Sequence, residues 1–170
     1  MVNPFSIEKV VNKLRKFGVE VMKIRQGEAL VNDKEIDLEQ LDQELHEDGF
    51  ALVKEKDWKI IDETVNYLGE YLDLMGKQAE LPHYLTYLNE KMGINAATLN
   101  KFFYSIKNIP IEDYYKILKI ERVKEKILEN KLPMAKIAYL FHYKDVEALG
   151  IEFKKVTGIS LNDYQSLVLV

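Results

Sequence analysis

Between Asp57 and Met75 the apolar positions fall at Trp58, Ile61, Val65, Leu68, Leu72 and Met75, alternating gaps of three and four residues. That spacing places all six on one face of a helix, in the a and d positions of a heptad seam. At under three heptads the seam is too short to define a coiled coil by itself. It either packs on a small sheet expected upstream or pairs with a second copy to form a dimer. Before it, Ile7, Val10, Val11 and Leu14 give a helical stripe over Ser6–Phe17, with Gly18 placed as the C-terminal cap. Val19–Arg25 and Glu28–Val31 read as a hairpin turning at Gln26-Gly27. Asp37-Leu38-Glu39-Gln40 is a capping-box pattern opening a helix to His46, ended by Gly49, and Phe50–Val53 reads as a third short strand. Helix, glycine and strand thus occur twice, the rhythm of a split βαβ or ferredoxin-like half.

Gly76–Pro82 interrupts this pattern and marks the expected boundary between domains at residues 1–76 and 77–170. Downstream the periodicity is helical throughout. A short helix, turn and helix fill Leu85–Lys107, and a long amphipathic helix follows over Ile111–Glu129. A second short helix opened by Pro133, a tight turn and a helix closed by Gly158 complete the series. The expected fold class is therefore α+β. A small, incomplete ferredoxin-like N-terminal α/β domain precedes an all-α domain with two helix-turn-helix units joined by a long linker helix. A helix of about 20 residues spans about 30 Å, close to the roughly 34 Å between successive major-groove entries on one face of B-DNA.

Charge sharpens the division. The chain has a net charge of −4, made up of −7 over residues 1–80 and +3 over residues 81–170. A mildly basic half beside an acidic one suits a nucleic-acid-binding domain with a companion, although +3 predicts weak phosphate neutralisation. There is no cysteine, which removes disulfides and thiolate metal sites. His46, His83 and His142 lack ligand spacing, so no metal and no cofactor is expected. No Gly-rich phosphate loop and no Ser-His-carboxylate grouping is present, so an enzyme is not expected. No apolar run reaches membrane-spanning length, and a soluble, cytoplasmic protein is the expectation.

In a helix-turn-helix the second helix enters the major groove, reading base edges from near its N-terminus while Lys and Arg meet phosphates. The first such helix, about Ala96–Ile106, buries Leu99, Phe102, Phe103 and Ile106 and turns Asn95, Ala97, Thr98, Asn100 and Lys101 outward. Asn95, Thr98 and Asn100 are candidate base readers, and Lys101 suits a phosphate. The second, about Asp145–Val156, buries Val146, Leu149 and Phe153, with Lys144, Lys154 and Lys155 as phosphate candidates. Its outward Asp145, Glu147 and Ile151 are less favourable beside DNA, and Gly150 in mid-helix costs about 1 kcal/mol against Ala. The linker's Lys116, Lys119, Arg122 and Lys126 alternate with Glu121, Glu125 and Glu129, a face expected to pair with itself.

Residues 82–165 resemble the C-terminal domain of AraC/XylS-type transcriptional regulators. The resemblance is carried by Ile137-Ala138, the His142-Tyr143 turn, Phe153-Lys154-Lys155, Gly158 and Tyr164, with YLNEKMGINAATLNKFFYSIKNIPIEDYY similar to the family's first helix-turn-helix. ILKIERVKEKIL, containing Arg122, resembles its linker. The resemblance implies double-stranded DNA as partner and regulation of transcription as function. The alternative is a protein-interaction module that keeps the fold with most DNA binding lost. Residues 1–76 resemble a degenerate heavy-metal-associated domain, with Asn3, Pro4, Phe5 and Ser6 where that family places its cysteine pair. Metal sensing is therefore not expected.

Overall fold

The computed structural model describes residues 4–25, 28–32, 36–50, 52–75, 77 and 81–168. Two compact units divide the chain, Met1–Lys54 and Glu55–Val170.

In the first unit, helix α1 (Pro4–Lys16) leads into strands β1 (Glu20–Arg25) and β2 (Glu28–Asn32), then helix α2 (Leu38–His46). The strands are antiparallel, with Glu20 opposite Asn32 and Ile24 opposite Ala29. The expected turn residues Gln26 and Gly27 lie outside the described residues. Leu14, Val19, Leu41 and Leu45 form the buried centre. Asp37 caps α2 by accepting from the Glu39 and Gln40 amides, both at 3.1 Å. Lys9 and Lys13 converge on Asp48 at 2.6 and 2.9 Å, tying α1 to the end of α2. Both lysines hold the Asp48 carboxyl below its ordinary range.

The third strand expected at Phe50–Val53 does not form among its described residues; Ala51 lies outside them. The physical reason is local. The Leu52 amide donates to Asp42 Oδ1 at 2.9 Å, so a side chain of α2 takes the bond a ladder would need. Phe50 and Leu52 still cover the core, as loop rather than strand. The sheet described is thus two-stranded.

The second unit is all-helical among its described residues: α3 (Glu55–Met75), α4 (Tyr84–Met92), α5 (Ala96–Lys107), α6 (Ile111–Glu129), α7 (Met134–Leu140), α8 (Val146–Thr157) and α9 (Leu161–Val168). Helix α3 lies in this unit rather than with the sheet, so the division falls after Lys54 and not at residue 76. Its seam explains why. Ile61, Leu68, Leu72 and Met75 are buried in the core of the second unit, and α3 packs on α4, α5 and α6. Val65 packs against the same core, and Trp58 is half-buried with the Lys107 amine 4.4 Å from its ring centre. A heptad stripe identifies the buried face of a helix but not the surface that covers it.

Helix α6 is the spine. It contacts α3, α5, α7 and α8, and buries Ile111, Ile120, Val123 and Ile127. Tyr114 and Leu118 are half-buried against the same core. Arg122 bridges α6 to α3 through Asp73 at 3.1 Å and also holds Glu125. Lys116, Lys124 and Lys126 pair with Glu112, Glu121 and Glu129 on their own helix.

Candidate nucleic-acid interface

The pairs α4–α5 and α7–α8 flank α6, and the second repeats the first at an offset of fifty residues. Asn95 and Asp145 are the two N-caps: Asn95 accepts from the Thr98 amide at 2.9 Å and Asp145 from the Ala148 amide at 2.7 Å. Leu99 and Phe103 match Leu149 and Phe153, all four fully buried. The helices end in left-handed residues, Asn108 at φ 56° and Gly158 at φ 82°. The turns before α5 and α8 use the left-handed region too, at Gly93 (φ 66°) and His142 (φ 57°).

This framework fixes which side chains face outward. On α5 they are Ala97, Asn100, Lys101, Tyr104 and Ser105; on α8 they are Glu147, Ile151, Lys154 and Lys155. Lys144 is exposed in the turn before α8. Tyr104, 58 % exposed, was not among the sequence candidates. Its position three residues beyond Lys101, on the same face, was the available signal.

Two candidate readers are engaged elsewhere. The Asn95 side-chain oxygen serves its own helix, as described. The Asn100 oxygen accepts from the Ile111 amide at 3.2 Å, capping α6 from eleven residues away. The repeat explains this use. Helix α6 begins after Pro110, which makes no side-chain cap, whereas α9 begins after Ser160, whose hydroxyl accepts from the Asp163 amide at 3.1 Å. The second unit supplies its own cap, and the residue fifty beyond Asn100 is Gly150. A bidentate adenine contact uses both amide atoms of Asn, so the Asn100 oxygen would have to serve the α6 cap and the base together. Thr98 is half-buried, while Lys101, Lys154 and Lys155 are exposed.

Helix α8 is clamped to the linker from the other side. Lys119 lies 3.8 Å from the centre of the Tyr143 ring, and the Tyr143 hydroxyl donates to Glu152. Burial pushes the Lys119 amine below its ordinary range. Burial and the Glu152 charge push the Tyr143 hydroxyl up. Beside this clamp is a cleft of about 300 Å³ lined by Tyr84, Glu112, Tyr115, Lys116, Lys119 and Glu152. Among the described residues no group of His, Asp or Glu is arranged to hold a metal, and no helix is long and apolar enough to cross a membrane.

Residues 88–166 match a family model described as a helix-turn-helix domain. This supports the AraC/XylS-type resemblance of the C-terminal half, and the match does not extend to the first unit. A solved structure of a protein of unknown function from Listeria innocua is similar, with 26 % identity and a TM-score of 0.50. That likeness covers 64 % of this chain and 96 % of the other. No curated protein gives a significant match.

Proposed function

We propose that this chain is a sequence-specific DNA-binding regulator of transcription that sets α5 and α8 into successive major grooves. The observation that carries the reading is the fifty-residue repeat of cap, buried Leu-Phe pair and left-handed stop on either side of α6. Two equivalent helices separated by a rigid 19-residue helix, about 28 Å long, suit grooves about 34 Å apart. Lys144, Lys154 and Lys155 around α8 are the phosphate contacts, and Lys101 is the exposed cation that α5 presents to the groove. This reading places the chain in the cytoplasm and assigns it neither cofactor nor catalytic residue.

A second reading, a protein-interaction module on the same fold, is favoured by one feature. Ile151 is 67 % exposed at the centre of the outward face of α8, beside Glu147. Fluorescence anisotropy of the intact chain with random duplex DNA, at low and near-physiological salt, separates the two. Binding that falls steeply with salt is expected. Absence of binding at low salt would transfer the assignment to the interaction module.

A further inference from the structure

We infer, resting on the DNA-binding reading above, that the two helices read unlike bases: α5 a guanine through Lys101, and α8 a cytosine through Glu147 and a thymine through Ile151. The repeat pairs Ala97 with Glu147 and Lys101 with Ile151, the same two outward positions on equivalent frameworks. All four are exposed. Asn95, Asn100 and Asp145 are occupied by caps, so the burden of reading falls on these positions.

Ile151 is the residue that most needs a purpose. It lies on the face of α8 opposite Leu149 and Phe153 and takes no part in the core. The apolar group on a major-groove base edge is the thymine methyl, so an outward Ile has one natural partner there. Glu147, one turn earlier, only accepts hydrogen bonds. The cytosine amine is flanked by an acceptor on one side only, the O6 of its paired guanine, whereas the adenine amine lies between its own N7 and the thymine O4, both of which repel a carboxylate. The first turn of α8 favours a negative charge at this position, and Lys154 and Lys155 offset it toward the phosphates. Lys101 only donates, which matches the paired acceptors of guanine. Four helical residues advance about 6 Å, or nearly two base steps. Cytosine and thymine therefore fall within about two steps of each other in the segment read by α8.

The test is selection of duplexes from a random pool by the intact chain, repeated with Lys101→Ala, Glu147→Gln and Ile151→Ala. The wild-type motif is expected to have two segments about one helical turn apart, one containing guanine and the other cytosine and thymine. Glu147→Gln should move the cytosine preference toward adenine, because Gln pairs with adenine, and leave the other segment intact. Lys101→Ala should relax the guanine alone. In the best duplex, replacing the thymine by uracil deletes one methyl. Wild-type affinity should fall about fourfold, the worth of one buried methyl, with no change for Ile151→Ala. A motif without cytosine and thymine in one segment, or one these variants leave unchanged, overturns the assignment while DNA binding stands. Failure of every form to bind any duplex overturns the DNA-binding reading itself, and this inference with it.

Discussion

The ring of Phe103 meets the ring of Tyr114 at 5.3 Å and a tilt of 57°. Fifty residues on, Phe153 meets Tyr164 at 5.2 Å and 51°. Each pair joins a candidate reading helix to the helix that follows it: α5 to α6, and α8 to α9. The first pair therefore fixes α5 to the spine, while the second fixes α8 only to the terminal helix. What holds α8 to the spine is the contact of α6 with α8 and the Lys119–Tyr143–Glu152 clamp.

Phe103→Ala and Phe153→Ala should each cost about 3–5 kcal/mol, the usual loss for a fully buried Phe. Both side chains are 0 % exposed in the one continuous core of the second unit, so that unit should still unfold in urea in a single transition with a lower midpoint. A variant in which α4–α5 and α7–α8 lose amide-exchange protection at different urea concentrations would show that the helix pairs fold independently.

Asn100→Ala should lower stability by about 1 kcal/mol, the typical worth of a helix cap. The Ile111 amide loses its acceptor, and Pro110 has no side chain to replace it. The bases selected from a random pool should not change. A changed base preference with unaltered thermal stability would return Asn100 to the reading surface.

The sequence made the outward and buried faces of these helices legible, because they follow from helical periodicity alone. Leu99, Phe103, Leu149 and Phe153 are buried as expected, and the glycines after α1, α2 and α8 end their helices. What could not be read was which group answers which. The α3 seam shows a face, but whether a sheet, a twin or α4–α6 fills it depends on tertiary packing. Asn100 is separated from Ile111 by eleven residues, and only the absence of a cap at Pro110 hints at the bond. Phe50–Val53 has strand-like composition, yet a single acceptor on Asp42 takes the Leu52 amide. Residues that look alike in composition diverge because buried or competing hydrogen bonds must be satisfied locally.

Lys154 and Lys155 are exposed in the last turns of α8, with no carboxylate partner among the described residues. Lys154→Ala and Lys155→Ala should weaken binding to all duplexes about equally and reduce the slope of log affinity against log salt by about 1 each. Loss of preference at one base pair, with an unchanged salt slope, would show a base contact instead.

Alkaline pH should unfold the second unit. Burial raises Tyr84 to about 12 and also raises Tyr71, Tyr87, Tyr114, Tyr115 and Tyr143 above the ordinary value. These groups keep their protons longer when folded than when unfolded. Their stabilisation is complete below about pH 10, the unfolded pKa, and is lost as pH rises through about 12. Lys119 works in the opposite sense, since its lowered pKa adds stability with rising pH only up to its unfolded value of 10.5. Six tyrosines outweigh one lysine. The thermal midpoint should fall steadily above about pH 10, and Tyr143→Phe should make that fall shallower. An equal fall in both proteins would show that Tyr143 is not coupled to unfolding.

Two glycines of the same helical segment should respond with opposite signs to one substitution. Gly150 lies inside α8 with ordinary helical geometry, and a Cβ there would meet nothing within 4 Å. Gly150→Ala should therefore stabilise the protein by about 1 kcal/mol, the difference in helix propensity. Gly158 also has open space around it, but its φ of +82° places it in the left-handed region. Gly158→Ala should cost about 1–2 kcal/mol from backbone strain alone. Gly150 is half-buried at the edge of the face of α8 that carries Glu147 and Ile151. If that face approaches DNA closely, Gly150→Ala will raise the thermal midpoint and weaken specific DNA binding together. Stabilisation without any loss of binding would place Gly150 away from the duplex, and a loss of stability would show that the helix itself requires a glycine there.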